Sequence, residues 1–295
     1  MMQEISYTNQ FNDTLFGHSW EIENPEKVVL IVTGMAEHSG RYDAFATFLN
    51  EHKMAVFCLD HYGQGKNGTL GNPGKDFFFK FQDTMVEYIK VLRNRFNVPV
   101  YIFSHSMGSF ITQGYIEKHS DTVDKVIICG TNGRNGAVGL GKVLSKMIAN
   151  KKNYDKPAKL LHNLAIGAYS KAVPDEKTPN AWLSYNRENV EKYDADPLSG
   201  YRCTNGFYKE FMNGLASIQK TKNIKAIDEK LPIFFIAGDG DPVGNMGKGV
   251  RQIHGLYVKY GKNAKIKIYE HRRHEILNDD NKEEVYQDIL DFYNN

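Results

Sequence analysis

One serine of the 295-residue chain lies in a pattern that presents a nucleophile. Ser106 belongs to the segment Ser104-His-Ser-Met-Gly108, between an apolar run at 98–103 and a helical pattern at 111–118. Small residues two positions before and after such a serine let a strand turn sharply into a helix, so that the hydroxyl projects above the sheet. Gly108 fits the second position, and Ser104 stands where the pattern has its first glycine. The segment predicts a serine nucleophile for acyl transfer.

The base and the acid that a serine nucleophile needs are expected further along the chain, in the order serine, acid, histidine. Asp241 follows the last strong apolar run, and we prefer it to Asp239, which could cap the turn. His271 and His274 both lie on the loop ahead of the last helical pattern. A histidine on this loop could take the proton of Ser106 while its other ring nitrogen contacts the acid. Three suitable residue types at three strand ends predict a catalytic triad.

An oxyanion hole completes such a site, because the tetrahedral intermediate carries a negative charge that backbone N–H groups can stabilise. One donor is expected from Met107, the residue after the nucleophile. The second donor is expected from the loop that follows the apolar run at 28–33, where Met35 comes directly after Gly34. We therefore predict the N–H groups of Met35 and Met107 as the two donors.

The elements that position these residues read as an α/β fold. Short apolar, β-branched runs are typical of buried strands, and they alternate here with helical patterns, which indicates βαβ units and a mostly parallel sheet flanked by helices. The alternation stops between about 132 and 228, so we predict a core of 1–131 and 229–295 with a helical cap inserted at 132–228. The six predicted strands are 28–33, 55–59, 98–103, 125–129, 232–237 and 265–269.

Composition excludes several classes of protein. Lys and Arg total 37 against 35 Asp and Glu, and this net charge of +2 argues against a nucleic-acid-binding surface. Neither a signal peptide nor a stretch of about 18 apolar residues is visible. Three separated cysteines without a Cys-x-x-Cys pair indicate free thiols in a reducing compartment, so we expect a cytoplasmic protein.

Two glycine-rich segments imitate nucleotide-binding motifs. The segment at 63–68 has the spacing G-x-G-x-x-G, but Pro73 and several glycines follow where a dinucleotide site needs a helix. The segment at 136–142 begins like a P-loop, but Val143 stands where the Mg²⁺-binding hydroxyl belongs. No cluster of Cys and His residues indicates a metal site. We therefore predict neither a cofactor nor a metal ion.

Several motifs together give the chain a family resemblance that covers nearly its whole length. It resembles the monoacylglycerol lipase and lysophospholipase-like family of α/β-hydrolases, which are serine aminopeptidase-type hydrolases. The resemblance implies an eight-stranded α/β-hydrolase core with a helical cap, and it implies Ser106 as nucleophile, Asp241 as acid and His274 as base, with Met35 and Met107 as oxyanion donors. The motifs are Gly34-Met-Ala-Glu-His-Ser-Gly-Arg-Tyr42, Asp60-His-Tyr-Gly-Gln-Gly65, His105-Ser-Met-Gly108, Tyr193-Asp-Ala-Asp-Pro-Leu-Ser-Gly200, Asp241-Pro-Val-Gly244 and Arg273-His-Glu-Ile-Leu277.

Two departures from the family pattern bear on the oxyanion loop and the nucleophile turn. Thr33 stands where the family has histidine, which removes a side chain that supports the oxyanion loop, and Ser104 stands where it has glycine. The implied substrate is a monoacylglycerol, a lysophospholipid or a similar carboxylic ester, cleaved through an acyl-enzyme. Four cap residues could line an acyl channel or equally form the core of the cap: Leu160, Leu164, Ile166 and Trp182.

Two alternatives stay open on the sequence. A peptidase or amidase of the same fold would use the same triad, and a non-catalytic binding protein could have kept the fold, with Ser104 and Thr33 as its signs. The expected partner is a small acyl ester and not a nucleic acid. An amphipathic cap helix would permit peripheral membrane contact, although no strongly basic apolar helix requires it, and the oligomeric state is left open.

Overall fold

Eight strands form a single sheet at the centre of the protein, in a computed structural model that describes residues 1–173 and 178–295. They are β1 (Met2–Thr8), β2 (Thr14–Trp20), β3 (Lys27–Val32), β4 (Met54–Leu59), β5 (Val100–His105), β6 (Lys125–Cys129), β7 (Ile233–Gly238) and β8 (Ala264–Tyr269). Their order in the sheet is β1-β2-β4-β3-β5-β6-β7-β8. The pairs β1–β2 and β2–β4 are antiparallel and the remaining neighbours are parallel.

The six predicted strands are confirmed as β3 to β8, each within two residues of the predicted bounds. The hairpin of β1 and β2 had no counterpart among the predicted runs. It lies at one edge of the sheet and β1 is largely exposed, so its sequence is polar and lacks the continuous apolar run of a strand that is buried on both faces. The mostly parallel eight-stranded α/β-hydrolase fold is confirmed.

Ten α-helices are present in the described residues. In chain order they are α1 (Asp43–Glu51), α2 (Phe77–Phe96), α3 (Met107–His119), α4 (Ala137–Ile148), α5 (Lys159–Lys171), α6 (Arg187–Ala195), α7 (Asn205–Leu215), α8 (Thr221–Ala226), α9 (Lys248–Lys259) and α10 (Lys282–Asn294). Helices α4 to α8 lie between β6 and β7, in the part of the chain that contains the predicted cap at 132–228. The boundaries at 132 and 228 stay a prediction, since α8 packs on α3 of the core.

Two apolar cores lie on opposite faces of the sheet, because successive side chains of a strand point to opposite faces. On β3, Val28 and Leu30 join the core that α2, α3 and α9 cover, whereas Val29 and Ile31 join the core that α1 and α10 cover. The central parallel strands are buried throughout. The sheet, packed on both faces, holds the carboxyl ends of β3, β5, β7 and β8 at one edge, where the candidate site residues lie.

Candidate active site

Ser106 lies in a strained turn between β5 and α3. Its backbone adopts φ 51° and ψ −119°, which an L-residue rarely adopts and which costs roughly 1–3 kcal/mol. The N–H of Ser106 donates to the carbonyl of Cys129 at 3.0 Å, which ties the turn to the neighbouring strand. A Cβ atom at Gly108 would lie 2.2 Å from the carbonyl oxygen of Val32, so this position requires glycine. The geometry is that of a nucleophile elbow.

Ser104 fits the crowded turn because its hydroxyl has a partner. It is fully buried on β5, and its Oγ donates to the carbonyl of Ile127 on β6 at 2.8 Å. A buried hydroxyl that forms a hydrogen bond adds little cost. The departure from glycine at this position therefore leaves the elbow intact.

Asp241 and His274 meet at the same edge of the sheet as the elbow. Asp241 follows β7 and is fully buried, and its Oδ1 accepts a hydrogen bond from the N–H of Val243 at 2.8 Å. Nδ1 of His274 lies 3.0 Å from this Oδ1 atom, although the ring N–H direction falls outside hydrogen-bond geometry. Nε2 of His274 is buried without a hydrogen-bond partner among the described residues, and His274 and Ser106 line one cavity.

The two alternatives that the sequence left open for the base and the acid lie elsewhere. His271 and Asp239 are both exposed, whereas His274 and Asp241 are buried against each other. The structure therefore places Asp241 against His274, which lines the cavity, and leaves His271 and Asp239 at the surface.

The loop that carries Met35 is braced by side chains whose role the sequence did not reveal. Met35 and Met107 line the same cavity as Ser106. Gln64 spans the loop, since its Nε2 donates to the carbonyl of Gly34 at 3.0 Å and its Oε1 accepts from the N–H of Ala36 at 2.7 Å. These bonds flank Met35 on both sides, so they fix the orientation of its peptide group.

A second brace holds the loop at Thr33. Burial lowers the pKa of His61 to about 4, so this ring is neutral at pH 7. Its Nε2 lies 2.9 Å from the carbonyl oxygen of Thr33 and donates to it. His61 and Gln64 therefore support the loop from the Asp60–Gly65 segment, although Thr33 lacks an imidazole.

Replacing Gln64 with alanine tests this bracing. Under the prediction that the Met35 N–H is an oxyanion donor, we expect kcat for ester hydrolysis to fall by about 10- to 100-fold, because a displaced N–H would forfeit part of the roughly 3–4 kcal/mol that one such donor supplies. Gln82→Ala is the matched control, since Gln82 is buried and bonds the carbonyl of Ile111 away from the cavity. A kcat that stays within twofold of wild type for both variants would contradict the bracing role.

A buried cluster of charged side chains lies close to Ser106. Glu37 accepts hydrogen bonds from the N–H of Gly34 and, at 2.9 Å, from the hydroxyl of Tyr42. Burial would raise the pKa of Glu37, but the hydrogen bond and charge of His105 and the charge of Arg41 outweigh burial and lower it to about 2. The ring of His105 contacts Glu37 through Nδ1 at 3.3 Å and the carbonyl of His274 through Nε2 at 3.2 Å.

Arg41 links this cluster to helix α6. Its guanidinium binds both carboxylate oxygens of Glu275, at 2.6 and 2.8 Å, and it also contacts Glu37 at 3.2 Å. Asn189 of α6 donates to Glu275 at 2.7 Å, and the Arg41 guanidinium lies over the ring of Tyr193 at 4.8 Å. The loop of Met35, the loop of His274 and helix α6 are thereby joined through one network of ion pairs and hydrogen bonds.

Replacing Arg41 with methionine should lower the free energy of unfolding at pH 7 by about 3–5 kcal/mol, because two buried carboxylates lose their shared cation. The pKa of Glu37 and that of Glu275 lie below their usual range in the wild type, so their contribution to folding is complete above about pH 5 and is lost as the pH falls toward 2. In the variant both carboxylates lack this stabilisation, so the difference in the free energy of unfolding between wild type and variant should become smaller as the pH falls.

Urea unfolding at pH 7 and pH 4 measures this difference. Arg95→Met is the control, since Arg95 pairs with Glu21 at the surface, where ion pairs contribute about 0–1 kcal/mol. Equal losses for both variants, or a difference that grows at low pH, would contradict a buried network.

A large apolar cavity leads to Ser106 and His274. Its volume is about 940 Å³, and side chains of α4, α5 and α7 form much of its wall. Of the four predicted channel residues, Leu164, Ile166 and Trp182 line it, whereas Leu160 lies outside the lining. The sequence did not single out the apolar residues of α4 and α7 that complete the wall: Val138, Leu140, Leu144, Phe211, Met212 and Leu215.

Neither of the two glycine-rich segments has the local structure of a nucleotide-binding motif. Residues 63–74 form turns with no helix, and most of 136–142 belongs to α4, which begins at Ala137.

Within 1–173 and 178–295, no group of three or more His, Cys, Asp or Glu side chains could hold a metal ion. Among the same residues, no helix has the length and apolar character needed to cross a membrane. The three cysteines are buried free thiols.

Comparison with known proteins places the chain among hydrolases. It is 25% identical to the monoglyceride lipase homolog of Monkeypox virus over 95% of this chain and 94% of that protein, and 25% identical to the monoacylglycerol lipase of Mycolicibacterium smegmatis over 90% and 87%. A thermostable carboxyl esterase from Bacillus coagulans, solved with glycerol, superposes with a TM-score of 0.92 at 29% identity over 99% of this chain and 98% of that one.

The family model is decisive because it spans most of the chain. The model of the Hydrolase_4 family, described as serine aminopeptidase, S33, matches residues 23–281. The resemblance predicted from the sequence motifs is confirmed by this match and by the monoglyceride lipases among the relatives. The chain belongs to the serine aminopeptidase S33 family, and it is a hydrolase with the serine-hydrolase fold.

Proposed function

We propose that the protein hydrolyses carboxylic esters with one long acyl chain, such as a monoacylglycerol or a lysophospholipid, through a Ser106–His274–Asp241 triad. The observation that carries the proposal is the position of Ser106 and His274 in the wall of an apolar cavity of about 940 Å³. A cavity of this size and lining can enclose an acyl chain. The relatives named as monoglyceride lipases and the carboxyl esterase support the same substrate class.

The proposed reaction assigns one role to each of these groups. Nε2 of His274 takes the proton of the Ser106 hydroxyl as Oγ attacks the ester carbonyl, and the alcohol leaves with that proton. Asp241 holds the imidazole with Nδ1 protonated and stabilises the imidazolium. The N–H groups of Met35 and Met107 stabilise the oxyanion. Water then attacks the acyl-enzyme, with His274 as base, and releases the carboxylic acid.

The lining favours an ester over a peptide with a free amino terminus. Recognition of an ammonium group needs a carboxylate that is free to pair with it. In the described part of the lining the acidic side chains are Glu37 and Glu275, and both are already paired with Arg41. An incoming ammonium would have to compete with this guanidinium, so an aminopeptidase activity is disfavoured.

Rates on two substrate panels test the proposal. p-Nitrophenyl esters of increasing acyl length, together with 1-monoacylglycerols, are compared with amino-acid p-nitroanilides on wild type and on Ser106→Ala. We expect kcat/KM to rise with acyl length among the esters and to exceed that of every p-nitroanilide by at least 100-fold. Faster cleavage of the p-nitroanilides would contradict the esterase assignment and support a peptidase. If the folded protein turned over neither panel, the protein would be a non-catalytic binding protein.

A further inference from the structure

The loop that carries His274 is bound to a segment that lies far from it in sequence. We define the base loop as residues 270–281, between β8 and α10, and the clasp as residues 181–186, within the predicted cap. The N–H of Glu275 donates to the carbonyl of Leu183 at 2.7 Å. The residue after His274 is therefore held by the clasp.

The residue before His274 is held through its side chain and through its backbone. The guanidinium of Arg273 donates to the carbonyl of Ala181 at 2.7 Å and lies over the ring of Tyr185 at 4.0 Å. The backbone N–H of Arg273 donates to Oδ2 of Asp279 at 2.9 Å. These contacts fix the chain on the other side of the histidine.

The side chain of Asp279 joins the base loop to the clasp. Asp279 is only 1% exposed, and its Oδ1 accepts hydrogen bonds from the clasp. The donors are the N–H groups of Tyr185 and Asn186, at 2.9 and 3.0 Å, and the hydroxyl of Ser184, at 2.9 Å. A carboxylate can be buried in this way because hydrogen bonds satisfy its oxygens. One side chain thus bonds the clasp through Oδ1 and the residue before the base through Oδ2.

The ring of His274 depends on this support. Among the described residues neither of its nitrogens has a hydrogen-bond partner, although Asp241 lies 3.0 Å from Nδ1. The ring packs against Trp182 of the clasp, with 5.1 Å between the ring centroids, and against His105, with 4.6 Å. The backbone of the base loop and these ring contacts therefore set the position of the imidazole.

We propose that Asp279 is a positioning residue for the base, because by bonding the base loop to the clasp it keeps Nε2 of His274 where it can take the proton of Ser106. The inference rests on the proposed function, since it presumes His274 as the base, and it adds a residue that lies outside the cavity lining. A displacement of about 1 Å at a reacting group can cost about 100-fold in rate. The clasp thereby contributes to the reaction although it belongs to the predicted cap.

Replacing Asp279 with asparagine tests the inference, because the amide keeps one acceptor oxygen and loses the other. We expect kcat for p-nitrophenyl ester hydrolysis to fall by about 10- to 100-fold, with KM within about threefold of wild type because the cavity wall is kept. Ser184→Ala removes one donor and leaves the carboxylate in place, so kcat should fall by about threefold. This second variant decides the question if Asp279→Asn does not fold, and an unchanged kcat would then overturn the inference.

The same substitution in a His274→Ala protein separates positioning of the base from support of the fold. A residue that acts through His274 has nothing to position there, so Asp279→Asn should change the residual rate by less than about twofold. A loss as large as that in the wild-type background would overturn the inference.

Asp124→Asn is the matched control, since Asp124 also accepts a backbone hydrogen bond but lies at the opposite edge of the sheet. Its Oδ2 accepts from the N–H of Val100 at 2.8 Å and from Arg93 at 2.6 Å, where β5 and β6 begin. This variant should lower the melting temperature and keep kcat within about twofold of wild type. Equal falls in kcat for Asp124→Asn and Asp279→Asn would overturn the inference.

The wild-type rate distinguishes failure of this inference from failure of the proposed function. If folded wild-type protein hydrolyses no ester, both are overturned. If the wild type is active and Asp279→Asn keeps its kcat within twofold, the positioning role alone is overturned.

Discussion

Replacing Ser106 with alanine should lower kcat for ester hydrolysis by about 10⁴-fold or more, because the acyl-enzyme cannot form without the hydroxyl. The loss should appear in kcat and kcat/KM alike, with little change in binding of the acyl chain, since the side chain is small and the cavity wall is unaltered. Initial rates on a p-nitrophenyl ester measure it.

Ser104→Ala is the control for this substitution. Ser104 belongs to the same Ser-x-Ser-x-Gly segment, but its hydroxyl is buried and bonds the carbonyl of Ile127 instead of facing the cavity. We expect a loss of about 1 kcal/mol in the free energy of unfolding and a kcat within a few-fold of wild type. The reverse result, with Ser104→Ala inactive and Ser106→Ala active, would contradict the assignment of Ser106 as the nucleophile.

Replacing Asp241 with asparagine should lower kcat by about 10⁴-fold, because the amide no longer holds His274 in the tautomer that accepts the serine proton. Asp241 is fully buried, and its Oδ1 lies 3.0 Å from Nδ1 of His274, so the amide of asparagine would take the place of the carboxylate next to the ring. Steady-state rates together with a thermal melt separate a catalytic loss from unfolding.

Asp239→Asn is the matched control, since Asp239 lies two residues earlier on the same loop and is exposed. Its variant should keep kcat within twofold of wild type. If both substitutions reduced kcat equally, or if only Asp239→Asn did, the assignment of Asp241 as the orienting acid would be wrong.

The strands that carry the site were predictable because burial on both faces leaves a local signature. The runs that became β5 and β7 are continuous and apolar, and the residues that follow them, Ser106 and Asp241, could be placed at one sheet edge before the structure was known. The edge hairpin of β1 and β2 lacked this signature. The pairing of β2 with β4 joins this hairpin to the sheet, and that contact is distant in sequence.

The supports of the site were not predictable, because they depend on pairs that are distant in sequence. Gln64 and His61 stood in a recognisable motif, but only the fold shows that they brace the loop of Met35. The pairing of Arg41 with Glu275 joins residues 234 positions apart. Leu160 was predicted to line the cavity and does not, because helical spacing alone does not say which face of α5 meets the cavity.

Labelling by a fluorophosphonate probe tests the central claim most directly, because the probe forms a covalent bond only with an activated serine in a working site. The folded protein is reacted with the probe, digested and analysed by mass spectrometry. We predict one modified peptide, with the label on Ser106, and no label on Ser106→Ala. The absence of labelling on folded wild-type protein, or a label on another serine, would contradict a hydrolase that acts through Ser106.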